Sequence, residues 1–291
     1  MIDKGFVLID KPEGITTYDC IRAIKRIYKE SGQNFPKIGH GGTLDPLATG
    51  LVIIALGSYT KLLTYLLHQE KTYDVVAFLG ASSDTYDRDG TIETTADAKQ
   101  ATYDDITYAL GNFMGEITQL PPKYSAIKIK GKPAYARARA GEDVVIAPRK
   151  VTILDITSIE LTWPMLKFRV RVSGGTYIRS LVHDLGNILG CGGYVDGLRR
   201  VMVGEVSVQR AQSLKDLEEK KTITLFPEVY ELFPHLTMYR VTSKEEAVLR
   251  QGGNIAGAFQ LHKDYLVYGD NGPVAVGEAV SMRLLKPKVV V

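Results

Sequence analysis

One run of residues constrains this chain more than any other: Gly39-His40-Gly41-Gly42-Thr43-Leu44-Asp45-Pro46-Leu47-Ala48-Thr49-Gly50. Glycine admits positive φ and lets a second backbone or a ligand come close, whereas proline fixes its own φ. The apolar run Leu51 to Leu56 follows at once and reads as a buried strand. A loop of this composition, anchored to a buried strand, holds something in place. Its single acid is Asp45. Alone, an Asp-Pro aspartate reads as a turn residue bonding its own backbone.

Periodicity supplies the frame around the loop. Residues 5–10 read as a short buried strand ending in the turn Asp10-Lys11-Pro12-Glu13-Gly14. Thr16 and Asp19 form a capping box for a helix that places Ile21, Ile24 and Tyr28 on one face. Residues 59–69 pattern as a helix through Leu62, Leu63, Leu66 and Leu67, and 71–80 as a strand with Tyr73 near its start. The polar, glycine-bounded stretch 80–90 reads as a plain loop. Asp84, Asp87 and Asp89 offer hard oxygens there, but without the spacing or terminal Glu of a calcium hand, so no metal is expected.

Thr102 and Asp105 cap a helix running to about Met114. Two strands follow at 151–163 and 166–172, the second alternating Leu166, Phe168, Val170, Val172 inward with Lys167, Arg169, Arg171 outward. Thr176 is the expected N-cap of a helix that buries Ile178, Leu181, Val182, Leu185, Ile188 and Leu189 and stops near Gly190. Arg179 falls in its first turn, off the apolar stripe. A cation at the positive end of a helix dipole is locally unfavourable by a few tenths to about 1 kcal/mol, so Arg179 wants an anion. After Phe233-Pro234, Ser243 and Glu246 are expected to cap a short helix ended by Gly252-Gly253. β-rich runs follow at 265–268, 273–276 and 279–285.

At 291 residues the chain suggests two domains or one with an appendage. No stretch is long enough to span a membrane, no signal peptide is visible, and Cys20 and Cys191 show no metal or redox spacing; a reduced cytoplasm is the simplest expectation. Net charge is only +3, but residues 121–150 hold eight Lys/Arg against two acids. A charge run alone is usually a solvated face. Interleaved Tyr124, Tyr135, Pro122 and Gly131 favour a nucleic-acid surface, with cations for phosphates and aromatics for stacking.

The Asp45 loop resembles the signature of the TruB family of pseudouridine synthases, G-H-x-G-T-L-D-P-x-A-x-G. The resemblance implies that Asp45 is the catalytic aspartate and that His40, Gly42 and Thr43 lie in the substrate site, His40 filling space left by flipped nucleotides. Lys11-Pro12-Glu13-Gly14 is similar to the family's first motif, which supports the catalytic loop from behind, with Lys11 as a weaker phosphate contact. Lys71-Thr72-Tyr73 fits the family setting in which a tyrosine stacks on the uracil and offers its hydroxyl as a proton acceptor. Gly175-Thr176-Tyr177-Ile178-Arg179-Ser180-Leu181 resembles the motif whose arginine pairs with the catalytic aspartate, bringing Tyr177 alongside. Leu198-Arg199-Arg200 resembles the L-R-R segment whose leucine packs under the uracil. The insert, with Lys128, Lys130, Lys132 and Arg139, is similar to the family's clamp on the T-arm of tRNA. Its low apolar content leads us to expect mobility without RNA.

The implied fold is α+β: a pseudouridine synthase catalytic domain at 1–235 on a mixed, mainly antiparallel sheet, with the RNA-clamping insertion at about 119–150. A small PUA-like β-barrel at 236–291 is expected to touch the tRNA acceptor end. The implied reaction isomerises the T-loop uridine at tRNA position 55. It needs no redox change and no donated group, so no cofactor is expected, and no dinucleotide or phosphate-loop fingerprint is present. A monomer without an obligatory protein partner is implied. Rival readings are the related guide-RNA-dependent synthase, which the long insert disfavours; a non-enzymatic tRNA-folding factor, which Asp45, Tyr73 and Arg179 disfavour; and a hydrolytic glycosidase, which would want paired carboxylates.

Overall fold

The computed structural model describes residues 2–96, 98–125, 127–129, 131–134, 137, 140, 142 and 145–291. The fold is α+β, built on a mixed sheet whose main path runs Gln212–Ser213, Gly5–Lys11, Thr49–Leu56, Gly193–Val203, Lys71–Leu79, Met165–Val172, Arg149–Thr162, Gly115–Gln119. Two neighbouring pairs are parallel, Gly5–Lys11 with Gln212–Ser213 and Thr49–Leu56 with Gly193–Val203; the remaining pairs along this path are antiparallel.

Alternation decides which side each apolar residue serves. From Gly5–Lys11 and Thr49–Leu56, the residues Val7, Ile9, Val52, Ile54 and Leu56 join one core with the helices Thr17–Glu30 and Ile178–Leu189. Phe6, Leu8, Leu51, Ile53 and Ala55 point the other way, into a second core shared with Phe226, Phe233, Leu266 and Val276. Both faces of these two strands are therefore covered, which is why their sequences read as unbroken apolar runs. The Met165–Val172 strand instead buries Leu166, Phe168, Val170 and Val172 on one face. Its other face is solvated, with Arg169 paired to Asp74 and Arg171 to Glu70.

The five-stranded second sheet runs Thr237–Arg240, Asp264–Gly269, Gly272–Ser281, Leu284–Val290, Ile255–Ala256. The expected run 279–285 is not one strand: it turns at Met282 and Arg283, so Ala279 and Leu285 lie on adjacent strands and pair with each other. The Ser243–Arg250 helix is capped one residue earlier than expected, by Thr242 with Glu245 in a reciprocal box. The capping boxes at Thr16 with Asp19 and at Thr102 with Asp105 form as the sequence predicts.

Three further expectations need correction. Residues 59–69 do not make one helix but a 3₁₀ turn, Gly57–Leu62, followed by a short α-helix, Leu63–Leu67. Leu62 and Leu66 are buried, while Leu67 is 48% exposed on the cleft wall. The helix Ile178–Leu189 is capped at Tyr177 rather than Thr176, whose hydroxyl turns back to the Ser173 carbonyl at 3.0 Å. Ile188, expected inside, is 53% exposed near the helix end.

Candidate active site

Glycine at two positions lets the Asp45 loop take its shape. Gly50 has φ +104° and lies opposite Arg200 on the neighbouring strand, where a Cβ would come within 2.3 Å of the Arg200 carbonyl oxygen. Gly42 has φ +142° and offers its carbonyl to the Arg200 guanidinium at 3.2 Å, while Arg200 Nε donates to the Leu51 carbonyl at 2.7 Å. The Thr17 hydroxyl accepts from the Leu44 amide at 2.8 Å and donates to its carbonyl at 3.0 Å. Leu44, Leu47 and Ala48 are buried below. With its neighbours held in this way, Asp45 stands at the edge of a cleft with its side chain 38% exposed.

Lys11 belongs to that foundation and not to an RNA-contacting surface. It is fully buried, and its ammonium donates to the carbonyls of Ile15 at 2.7 Å, Pro12 at 3.0 Å and Pro46 at 3.3 Å. Burial lowers its pKa. A phosphate cannot reach a group so enclosed, so the weaker of the two roles expected for Lys11 is withdrawn.

Arg179 is the hub. Its side chain is 5% exposed, and Nη2 lies 2.9 Å from Asp45 Oδ2 and donates to the Tyr124 carbonyl at 2.9 Å. Nη1 donates to the Thr85 carbonyl at 3.0 Å and lies 3.2 Å from Asp87 Oδ2. The buried Gln119 amide fixes the helix start, accepting from the Tyr177 amide at 2.8 Å and donating to its carbonyl at 3.0 Å. That two-point bond explains why Tyr177 takes the cap position. One Asp45 oxygen, Oδ2, is thus held beside arginine, while the part-exposed carboxylate lines the cleft.

Asp87 was not singled out as a site residue in the sequence. Its side chain is 6% exposed, its Oδ1 accepts from the Thr85 hydroxyl at 2.6 Å, and it bridges to Val195 across the fold. Burial pushes its carboxyl up, against the downward pull of Thr85 and Arg179. Nothing local marks this burial in a polar, glycine-bounded stretch; the only sequence signal was the concentration of three acids there.

The cleft holds about 410 Å³ and is lined by Asp45, Tyr73, Arg179 and Leu198 among others. Gly42, Thr43 and Tyr177 also line it, together with Lys71, Arg149 and Arg200. Tyr73 is 8% exposed, on a strand whose register sets it opposite Val170 and Arg200. His40 is half-buried on the short strand Ile38–His40 and does not line the cleft. Burial and then Arg200 push its imidazole pKa down, favouring the neutral ring, which suits a positioning role better than acid catalysis. Lys132 is exposed on a hairpin with Lys128–Ile129, and Lys130 and Arg139 lie outside the described residues. A second hollow of about 470 Å³ lies between Leu8, Arg210, Gln212 and Phe226. Its one arginine is already paired with Glu228 and Glu231, and we assign it no chemistry.

Lys71 was read only as the flank of Tyr73, yet it shapes the cleft wall. Its ammonium donates to the carbonyls of Gln69 at 2.6 Å, Leu67 at 2.8 Å and Leu66 at 3.0 Å. Burial, and then Arg200, pull its pKa down to about 7. A lysine depressed on folding binds fewer protons in the native than in the unfolded state between about 7 and 10.5, so its contribution makes stability rise with pH across that window. Urea unfolding at pH 7 and 9 should show that rise in the parent and a smaller one in Lys71→Met. Equal slopes would mean the ammonium titrates normally.

Comparison with known proteins gives the class first. The fold is that of chains in two solved structures, "Structure of H/ACA RNP bound to a substrate RNA containing 2'-deoxyuridine" and "Crystal structure of the archaeal box H/ACA sRNP Nop10-Cbf5 complex". The first aligns with TM-score 0.73 at 23% identity, covering 99% of this chain and 85% of that one. The second aligns with TM-score 0.72 at 23% identity, covering 99% and 86%. At that identity the likeness shows the fold alone.

The sequence narrows it. Residues 25–178 match the TruB family pseudouridylate synthase N-terminal domain, and 179–225 match the tRNA pseudouridylate synthase B C-terminal domain. The tRNA pseudouridine synthase B of Aromatoleum aromaticum is 38% identical over 290 residues, covering 99% of this chain and 92% of the relative. That of Zymomonas mobilis is 39% identical over 260 residues, covering 87% and 84%. The chain belongs to the TruB family of pseudouridylate synthases.

Proposed function

We propose that this enzyme isomerises a uridine of tRNA to pseudouridine, and that its target is the T-loop uridine at position 55. The observation that carries the chemistry is the Asp45–Arg179 pair at 2.9 Å, with the arginine buried and the carboxylate open to the cleft. The reaction breaks N1–C1′, turns the uracil and joins C5 to C1′; the proton leaves C5 and N1 gains one. Asp45 serves as nucleophile or as base toward the sugar. Tyr73 stacks on the uracil and is the nearest titratable group to take the C5 proton, while Leu198 supports the base from below.

A uridine stacked in a folded loop must be extruded at a cost of a few kcal/mol, offset by contacts with the flipped base and its backbone. His40 fills part of the space so vacated. The basic insert, with Lys128, Lys130, Lys132 and Arg139, grips the T-arm. Residues 236–291 form a PUA-like unit on the acceptor end, and residues 1–235 form the catalytic domain. The protein acts alone and as a monomer.

The test uses tRNA transcript tritiated at uridine C5. Stoichiometric label release that disappears when the T-loop uridine is replaced supports the reading. Tight binding without release would turn the assignment to an RNA-folding factor.

Arg149 yields a separate expectation. Its guanidinium sits 4.5 Å over the Tyr177 ring, Nε is buried, and among the described residues Nε has no partner and the side chain makes no ion pair. In the complex it accepts a phosphate of the extruded nucleotide. Arg149→Ala should weaken tRNA binding and reduce the slope of log K against log salt by about one. Filter binding across a salt series measures both, and an unchanged slope would remove the phosphate from the account.

A further inference from the structure

The stretch 83–90 touches the helix Ile178–Leu189 at two places one turn apart. The lower contact is the one described above, Thr85 and Asp87 on Arg179. The upper is a ring stack: Tyr86 lies on His183 with centroids 3.8 Å apart and planes 12° from parallel. Asn187 Nδ2 lies 3.1 Å from His183 Nε2, within hydrogen-bond reach, and steadies the imidazole plane. Neither aromatic ring lines the cleft.

Tyr86 makes this contact from a backbone conformation that a bulky residue rarely adopts, with φ +63°. The turn is stitched on both sides. The Tyr86 amide donates to the Ser83 carbonyl at 3.1 Å, the Val195 amide to the Tyr86 carbonyl at 3.0 Å, and the Arg88 amide to the Val195 carbonyl at 3.0 Å. The left-handed step lets residues 85 and 87 both face Arg179 while the ring between them reaches the helix. Strain of this kind persists only where surrounding contacts over-determine the conformation.

We infer that the Tyr86–His183 stack is a clamp that positions Asp87 and Thr85 against Arg179, and through Arg179 sets the direction of the Asp45 carboxylate. Tyr86 and His183 are positioning residues: they contact neither the cleft nor the reacting atoms, and act by keeping Asp87 one helical turn below the stack. Among the described residues Arg179 Nε has no partner of its own, so the direction of the guanidinium depends on what its two terminal nitrogens meet. Two of those contacts come from the clamped stretch.

The inference rests on the isomerase reading, and the wild-type arm of the experiment keeps the two apart. Single-turnover tritium release and tRNA affinity would be measured for Tyr86→Gly, Tyr86→Phe, His183→Ala and the Tyr86→Gly/His183→Ala pair. Glycine keeps the left-handed turn and removes only the ring, so a loss there is not a backbone effect. An aromatic pair, read as a rate, is worth about two- to tenfold.

The expected result is a loss of that size in rate for Tyr86→Gly and for His183→Ala, with tRNA affinity unchanged. The double variant should be no slower than the singles, and Tyr86→Phe should match wild type. In an Asp87→Asn background Tyr86→Gly should have no further effect, because the two act through one contact. Full activity of Tyr86→Gly in an active wild-type preparation would overturn the clamp, as would additive losses or a loss confined to affinity. An inactive wild type would instead undo the isomerase reading.

Discussion

Asp45→Asn should bind tRNA within about threefold of the wild type and release tritium at least about 10⁴-fold more slowly, the scale seen when a sole nucleophile or base is removed. Asparagine keeps the shape of the side chain and an oxygen beside Arg179 Nη2, so loop and cleft stay in place. What disappears is the negative charge of a carboxylate that lines the cleft. Asp45→Glu is the informative companion: it keeps the charge but moves it outward by a methylene, and a displacement near 1 Å costs about 10²-fold. Single-turnover assays on both variants, with filter binding alongside, check the pair of expectations. Turnover by Asp45→Asn within tenfold of wild type would show that another group does the chemistry. An Asp45→Asn protein that still promotes tRNA folding would show that binding and isomerisation are separable.

Arg179→Met should lose pseudouridine formation almost as completely, and should also lose about 3–5 kcal/mol of stability near neutral pH, because it leaves the buried Asp87 carboxylate without its cation. The charge is expensive here for a specific reason: Asp87 already has its pKa raised by burial, with Arg179 pulling it back. Removing the arginine raises it further. A carboxylate raised on folding binds more protons in the native than in the unfolded state between its ordinary and folded values, so its contribution to stability falls as pH rises through that window. The loss in Arg179→Met should therefore be larger at pH 8 than at pH 5. Adding Asp87→Asn should recover stability without recovering activity. Urea unfolding at the two pH values tests this, and a pH-independent loss would mean that Asp87 is not the stranded charge.

The Asp45 loop was legible because its residues are contiguous. The Asp45 loop announces itself through glycines and a proline that few other structures need in that order. A cation at a helix start wants an anion, but position alone would have left Arg179 a solvated surface residue; the resemblance of its motif, beside the Asp45 loop, is what singled it out. Asp87 could not be found, since its burial is made by Val195 and by the helix Ile178–Leu189, both far along the chain. Composition pointed the other way there, toward an open loop. Arg149 was counted only as one more charge in a basic run; the strand that lifts it onto Tyr177 is not visible in charge statistics. Lys11 was half read: its support of the loop follows from the turn, but only burial shows that its ammonium has no capacity left for RNA. The helix expected over 59–69 failed because periodicity cannot distinguish a 3₁₀ turn from an α-turn over so few residues, and Leu67 belongs to the cleft rather than the core.

The two strands with both faces covered have an implication for how the molecule is built. The strand leading out of the catalytic loop puts alternate side chains into the second core, where Leu266 and Val276 of the five-stranded sheet pack with Leu51 and Ile53. The tail is thus part of the loop's foundation. Trimming it back would bare the apolar face of the strand that follows the aspartate, and the cost would register in the rigidity of the loop that this strand anchors.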